Sequence, residues 1–189
     1  MVAPGLPRLV GRAFTLRFVP AREDLATPES WSSPTSTRAA IEAMPAGCIA
    51  VVDAMGVGDA GIFGDILCAR MQKRGVSALV TDGVVRDLEG VLGTGLPVWC
   101  AGAAAPPSVA GLTFVGWQEP VACGGVAVFP DDVIVADRDG AVVRMDALPF
   151  GIAAWRLGAG RARAEDRGVV QQAVEAAEFV LDHHRQLVV

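Results

Sequence analysis

Residues 48–87 read CIAVVDAMGVGDAGIFGDILCARMQKRGVSALVTDGVVRD, and this stretch decides the fold class. CIAVVD (48–53) and SALVTDG (77–83) are continuous apolar runs, the mark of strands covered on both faces. Between them Ile66, Leu67, Ala69, Arg70, Met71 and Arg74 fall at helical spacing, and Gly75 is a good C-terminal stop. Outward from there, LVGRAFTLRFV (9–19) alternates like a strand that Pro20 ends. A short helix is expected at about 37–44. VVRDLEGV reads as a connection, and strands are expected at 97–100 and 112–117. GGVAVF, DVIVAD and GAVVRM (124–145) read as three short strands separated by Asp-rich turns. Residues 20–36 hold prolines, serines and threonines without an apolar period and form a long loop. The segment from about Ala162 to Arg185 has an amphipathic helical pattern. The sum is an α/β protein of many short strands and few helices.

Composition bounds the function. At 189 residues the chain is expected to form a single domain, residues 1–189. With 52% hydrophobic and 20% charged residues it is not a disordered chain. Sixteen basic residues against 21 acidic ones give a net charge of −5, which disfavours a nucleic-acid or anionic-membrane surface. The longest uncharged stretch, Gly90 to Gln118, carries Pro97, Pro106, Pro107 and six glycines, which would break a membrane-spanning helix. MVAPGLPRLVGR has no continuous apolar core of a signal peptide, so the expected location is cytoplasmic. Cys48, Cys68, Cys100 and Cys123 lack CxxC spacing and read as buried reduced thiols.

Several chemistries drop out. The two histidines, His183 and His184, sit near the end of the sequence on a segment without a nucleophile signature. Lys73, the single lysine, lies in RMQKRG at an expected helix end, which argues against Schiff-base chemistry. GVGDAG (56–61) matches a dinucleotide-loop spacing, but its glycines precede the helix instead of opening it. A set of acids and one arginine remains at the ends of buried strands. Asp65 sits at a helix start, where open N–H groups and the dipole favour anions. Asp82 ends a strand, and Arg86 and Asp87 follow within five residues. Singly, these residues read as a cap, a turn and a surface pair. Together they fall on two neighbouring strand-to-helix connections, in the crevice where α/β sheets bind ligands. A helix start there can bind a carboxylate, an arginine offers a bidentate fork, and a carboxylate can hold a hard cation through waters.

GDAGIFGDILCARMQKRGVSALVTDGVVRDLEGV, with PVWC and VACGGVAVFPDDVIVADRDGAVV, closely resembles the RraA-like family. That family includes class II 4-hydroxy-4-methyl-2-oxoglutarate (4-carboxy-4-hydroxy-2-oxoadipate) aldolases and a regulator of ribonuclease E. A demethylmenaquinone methyltransferase label it once bore would be inherited here without support. The resemblance covers about residues 8–143 and implies a swivelling β/β/α domain, in homotrimers or hexamers with sites between subunits. It implies a lyase that forms a pyruvate enolate from a small oxo-acid, by retro-aldol cleavage or by decarboxylation of oxaloacetate. By resemblance, Arg86 contacts the pyruvate moiety and is catalytic with Asp65, and Asp87 holds Mg2+ or Mn2+. Asp65 joins the metal's water shell, and Gly64, Ile66 and Leu67 bind the substrate carboxylate through the helix-start backbone. The regulator branch generally lacks the aspartate matching Asp87, so its presence here favours the enzyme over a ribonuclease E partner. Set against the family it resembles, the sequence is expected to be without the N-terminal helical segment that precedes LVGRAFT in most relatives, and residues 144–189 read as a divergent helical tail. In the resembled aldolases a neighbour's C-terminal glutamate reaches the site, with Glu165 and Glu178 the candidates here. Recognition of the substrate beyond pyruvate is expected from the 20–36 loop or another subunit.

Overall fold

Among the described residues, strand β1 (Leu9–Pro20) is the pivot of an eight-stranded sheet. Its first part pairs antiparallel with β10 (Val133–Asp137), and its middle pairs parallel with β2 (Ile49–Asp53). From Leu16 to Pro20 it also pairs antiparallel with β7 (Leu112–Trp117), with a register shift between Arg17 and Phe18. Beyond β2 the sheet continues in parallel through β3 (Ala78–Thr81) to β5 (Val98–Trp99). On the other side β10 pairs with β11 (Gly140–Arg144), which pairs with β12 (Trp155–Leu157). The computed structural model describes residues 8–25, 30, 32–144 and 155–157.

The apolar runs divide between two cores, as covered strands must. Ala50 and Val52 of β2 and Leu79 of β3 face one cluster, which α1 (Thr37–Ala43) and α2 (Asp65–Lys73) cover with Ile41, Cys68 and Met71. Ile49, Val51, Ala78 and Val80 face the other, closed by Trp99, Ile134 and a hairpin of β8 (Val121–Cys123) and β9 (Val126–Val128). Side chains such as Leu16, Ile41 and Phe63 are fully buried; each contributes about 1.5–3 kcal/mol relative to exposure. Gly124 and Gly125, both at positive φ, supply the tight hairpin turn. Trp99 Nε1 donates to the Asp137 carbonyl at 2.8 Å, tying one edge strand to β10.

Helix α2 forms where the periodicity places it. Asp65 lies in its first turn and Arg70 and Lys73 in its last, the order that suits the helix dipole. Gly75, at φ 81°, ends it, and the Val76 N–H closes back on the Met71 carbonyl. The structure corrects three expectations. The segment VVRDLEGV (84–91) is not simply a connection: β4 (Val84–Val85) pairs with β6 (Gly102–Ala103), and α3 (Leu88–Gly93) starts after the two residues that follow β4. Val121–Cys123 is a strand that the sequence reading left out. Residues 155–157 are a strand paired to β11, so the 144–189 segment is not wholly helical. The helix expected from Ala162 to Arg185 lies outside the described residues, as do Glu165, Glu178, His183 and His184. Among the described residues no helix is long and apolar enough to cross a membrane.

Candidate active site

Two connections leaving parallel strands, 54–64 after β2 and 82–87 (which contains β4) after β3, run into the starts of α2 and α3, and glycine lets them touch. A Cβ on Gly61 would stand 2.8 Å from Arg86 Cβ. A Cβ on Gly64 would stand 2.5 Å from Asp87 Oδ2 and 3.2 Å from Arg86 Cγ. On α3, a Cβ at Gly90 would lie 2.8 Å from Asp65 Cβ and 3.0 Å from its Oδ2. Asp65, Arg86 and Asp87 are thereby brought to one cleft, with Arg86 and Asp87 in direct contact. With Gly64, Ile66 and Leu67 they line a cleft of about 740 Å3, within the ordinary range for small-molecule sites. Loop residues Leu25, Ser30, Ser33 and Thr35 also line it.

Asp87 is the most unusual residue of the group. It occupies the N-cap position of α3, yet its side chain makes no capping bond. Its backbone lies in the left-handed region, φ 52° and ψ 46°. Forgoing the cap costs about 1 kcal/mol, and a left-handed non-glycine residue about 1–2 kcal/mol more. The carboxylate instead accepts from Arg86 Nε at 2.8 Å. Local strain of this kind clusters at functional sites. The terminal guanidinium nitrogens of Arg86 have no partner among the described residues, so its fork is open to an anion.

Helix α2 also starts without a side-chain cap. One of its N–H groups is already taken: Ile66 N donates to Asp65 Oδ1 at 2.7 Å. The Leu67 N–H has no partner among the described residues, so of the two backbone donors it is the one free for a ligand. Behind it Cys68 is buried, and burial, with Asp65 adding a smaller push, raises its thiol to about 12. It is a packing residue. Asp82, grouped with the acids on sequence grounds, goes elsewhere. Its Oδ1 accepts from Ala54 N at 2.8 Å and its Oδ2 from Gly124 N at 3.1 Å. Asp53 acts in the same way, accepting from Met55 N and Ala122 N, both at 3.0 Å. These two acids tie strand ends to the β8–β9 hairpin and stand apart from the cleft lining.

The donor set also bears on a metal. Among the described residues no three His, Cys, Asp or Glu side chains converge as a metal cage. Two carboxylates in one cleft, Asp65 and Asp87, provide hard oxygen donors in a number suited to a divalent ion that keeps most of its waters. The residues therefore fit magnesium-type binding and do not fit a closed structural zinc site.

A family model for RraA-like proteins, described as Aldolase/RraA, matches residues 2–143. The chain belongs to the RraA-like family. A Halalkalibacterium halodurans protein named "Putative 4-hydroxy-4-methyl-2-oxoglutarate aldolase" is 35% identical over 107 residues, 56% of this chain and 50% of that protein. The RraA-like chain thus spans about half the length of that curated relative. The crystal structure of Streptomyces coelicolor RraAS2, described as an unusual member of the RNase ES inhibitor RraA protein family, superposes with a TM-score of 0.67 at 29% identity. That match covers 98% of this chain and 77% of RraAS2. The RNA-processing inhibitor RraA from Thermus thermophilus, at 24% identity and a TM-score of 0.58, covers 80% of this chain and 86% of its own and shares the fold.

Sequence reasoning missed Gly61 and Gly90, whose importance lies in what a methyl group there would strike. It also missed Arg38 of α1, which lines the same cleft. The glycine spacing of 56–61 drew attention for a phosphate loop. Gly61 instead bridges Val84 and Pro107 and makes room for Arg86.

Proposed function

We propose that this RraA-like chain is a divalent-metal-dependent carbon–carbon lyase that releases pyruvate from a small oxo-acid. Its reaction is retro-aldol cleavage of a 4-hydroxy-2-oxo-diacid, decarboxylation of oxaloacetate, or both. The observation that carries the reading is the convergence of Asp65, Arg86 and Asp87 on one cleft, enforced by Gly61, Gly64 and Gly90. The homologue named as an aldolase supports it.

Asp87 is the residue to hold Mg2+ or Mn2+, with Asp65 reaching it through water. Once bound, such an ion supplies a Lewis acid for electron density developing on a keto oxygen. The remaining work falls to the protein. The Leu67 N–H at the start of α2 receives the substrate's 1-carboxylate. Arg86, held through Nε by Asp87, presents its free fork to the oxygen on which enolate charge develops. One preorganised donor of that kind contributes roughly 3–4 kcal/mol to the transition state. The Ile66 N–H joins the carboxylate site only when Asp65 releases it, which couples the acid's position to substrate entry.

Purified protein with Mg2+ or Mn2+, assayed for pyruvate from oxaloacetate and from branched hydroxy-oxo-diacids, tests the reading. Activity should require the metal and disappear with EDTA, and Arg86→Ala or Asp87→Ala should abolish it. Wild-type rates in either folded variant would refute the assignment. The likeness to RraAS2 supports a second reading, a non-catalytic regulator that binds an RNase E-type enzyme. Capture of ribonuclease E by a chain inert toward every oxo-acid would favour it. The cleft is expected to lie between subunits of a trimer or hexamer, in line with the family.

A further inference from the structure

Among the described residues, four charged side chains line the cleft: Arg38, Asp65, Arg86 and Asp87. Three of them belong to the constellation already described. Arg38 does not. It comes from α1, is exposed, and makes no ion pair or hydrogen bond among the described residues. Its isolation has a cause. The acid at helical i,i+4 spacing that would ordinarily neutralise Arg38 is Glu42. Glu42 is drawn to α2 instead: Arg70 Nε and Nη2 donate to its two oxygens at 2.6 and 2.7 Å, and Arg74 Nη1 donates at 3.1 Å. The α1–α2 clamp therefore leaves one cation of α1 unspent at the edge of the cleft.

We propose that Arg38 recognises the distal carboxylate of the substrate and makes the site selective for oxo-diacids over oxo-monoacids. This rests on the lyase reading above and adds to it the residue that sets the preference for a diacid. Charge balance supports it. Among the described residues the two arginines and two aspartates of the lining cancel, so a divalent ion and a dianionic substrate together leave that set neutral. Without Arg38 the balance would favour a monoanion. The position also bears on reaction type. In retro-aldol cleavage the C3–C4 bond breaks, its electron pair enters the pyruvate enolate, and the C4 hydroxyl yields its proton to solvent. The distal carboxylate leaves intact on the new carbonyl product, so an ion pair to it persists through the step. In oxaloacetate decarboxylation that carboxylate itself becomes CO2 while the electron pair enters the enolate. An ion pair on it then stabilises the ground state more than the transition state. Arg38 thus favours cleavage over decarboxylation.

Calorimetric titration with 2-oxoglutarate and with 2-oxopentanoate, at fixed Mg2+, reads the selectivity directly. Wild-type protein should prefer the diacid by roughly tenfold, the lower end for a charge-assisted contact at an exposed site. In Arg38→Gln the two affinities should come within about twofold of each other, given the same contact energy lost. Arg38→Lys should recover part of the preference, since a charge remains but the fork is lost. The ratio of cleavage to decarboxylation should fall in Arg38→Gln. An unchanged preference or reaction ratio in that variant, or no preference in the wild type, overturns the role of Arg38 and leaves the lyase reading intact. Failure of the wild type to bind either oxo-acid overturns both.

Discussion

Gly64→Ala is the substitution that most directly tests how the site is built. Gly64 has φ −111° and ψ −172°, an extended conformation open to any residue, so the backbone gains no strain from alanine. The new methyl carbon would lie 2.5 Å from Asp87 Oδ2, where ordinary contact begins at 3.4 Å, and 3.2 Å from Arg86 Cγ. Relief requires the Asp87 carboxylate to retreat by about 0.9 Å, breaking its 2.8 Å hydrogen bond from Arg86 Nε. A misplacement near 1 Å at a reacting centre costs about 10²-fold in rate. The overlap is one-sided toward a half-exposed cleft, so the fold should lose only about 1–3 kcal/mol, as for modest overpacking. The control is Gly93→Ala in α3, where a Cβ meets nothing within 4 Å and φ is not positive. It should leave pyruvate release unchanged and stabilise by up to about 1 kcal/mol through helix propensity. Pyruvate release coupled to lactate dehydrogenase, with thermal melts of both variants, decides the matter. A Gly64→Ala protein with wild-type kcat and metal requirement would show that Asp87 does not need its observed place.

Two further outcomes follow from the same geometry. Asp82→Ala leaves the Ala54 and Gly124 N–H groups without their acceptor; it should cost about 1–3 kcal/mol, seen as a lower melting temperature. An unchanged melting temperature would contradict the tether. Glu42 should titrate below 4.5, chiefly because Arg70 donates hydrogen bonds to it, with burial opposing and the charges of Arg70 and Arg74 assisting. A depressed carboxylate pKa stabilises the fold above the unfolded value, and that contribution is lost as pH falls through the folded pKa. The α1–α2 clamp should therefore weaken only below about pH 4.5, in carboxyl chemical shifts and acid melts alike. A Glu42 midpoint at or above 4.5 would contradict the pairing.

The strands β2 and β3 were legible because both faces of each are buried, which forces an unbroken apolar run onto the sequence. Helix α2 was legible because acid, apolar stripe, base and glycine follow in helical order. Helix α3 was not, since LEGVLG is six residues with two glycines, and packing holds it: Val91 is buried and Gly90 lies against Asp65. The acids divide for a similar reason. Asp65, Asp82 and Asp87 all stand at strand or helix ends, but the Gly124 N–H that claims Asp82 lies 42 residues further along. Nothing local to TDG announces it. Arg38 likewise reads as a solvated helix arginine until the fold brings Arg70 and Arg74 to Glu42 and removes its natural neighbour.

Aspartate at a helix start is ordinarily a cap, and on that expectation Asp65 and Asp87 would be accounted for by local structure alone. The geometry separates them from that role in two different ways. Asp65 spends one oxygen on the N–H next to it and keeps Oδ2 against Gly90, toward α3. Asp87 gives up its cap, adopts a left-handed backbone, and turns to Arg86 in a space that only glycine at 64 leaves open. A fold selected for stability alone would replace Asp87 with a residue that caps α3 without strain, at no cost to either core. Keeping it concentrates the local cost on one side chain whose position matters only to the cleft, and that makes Asp87 the residue on which a chemical role for this site turns.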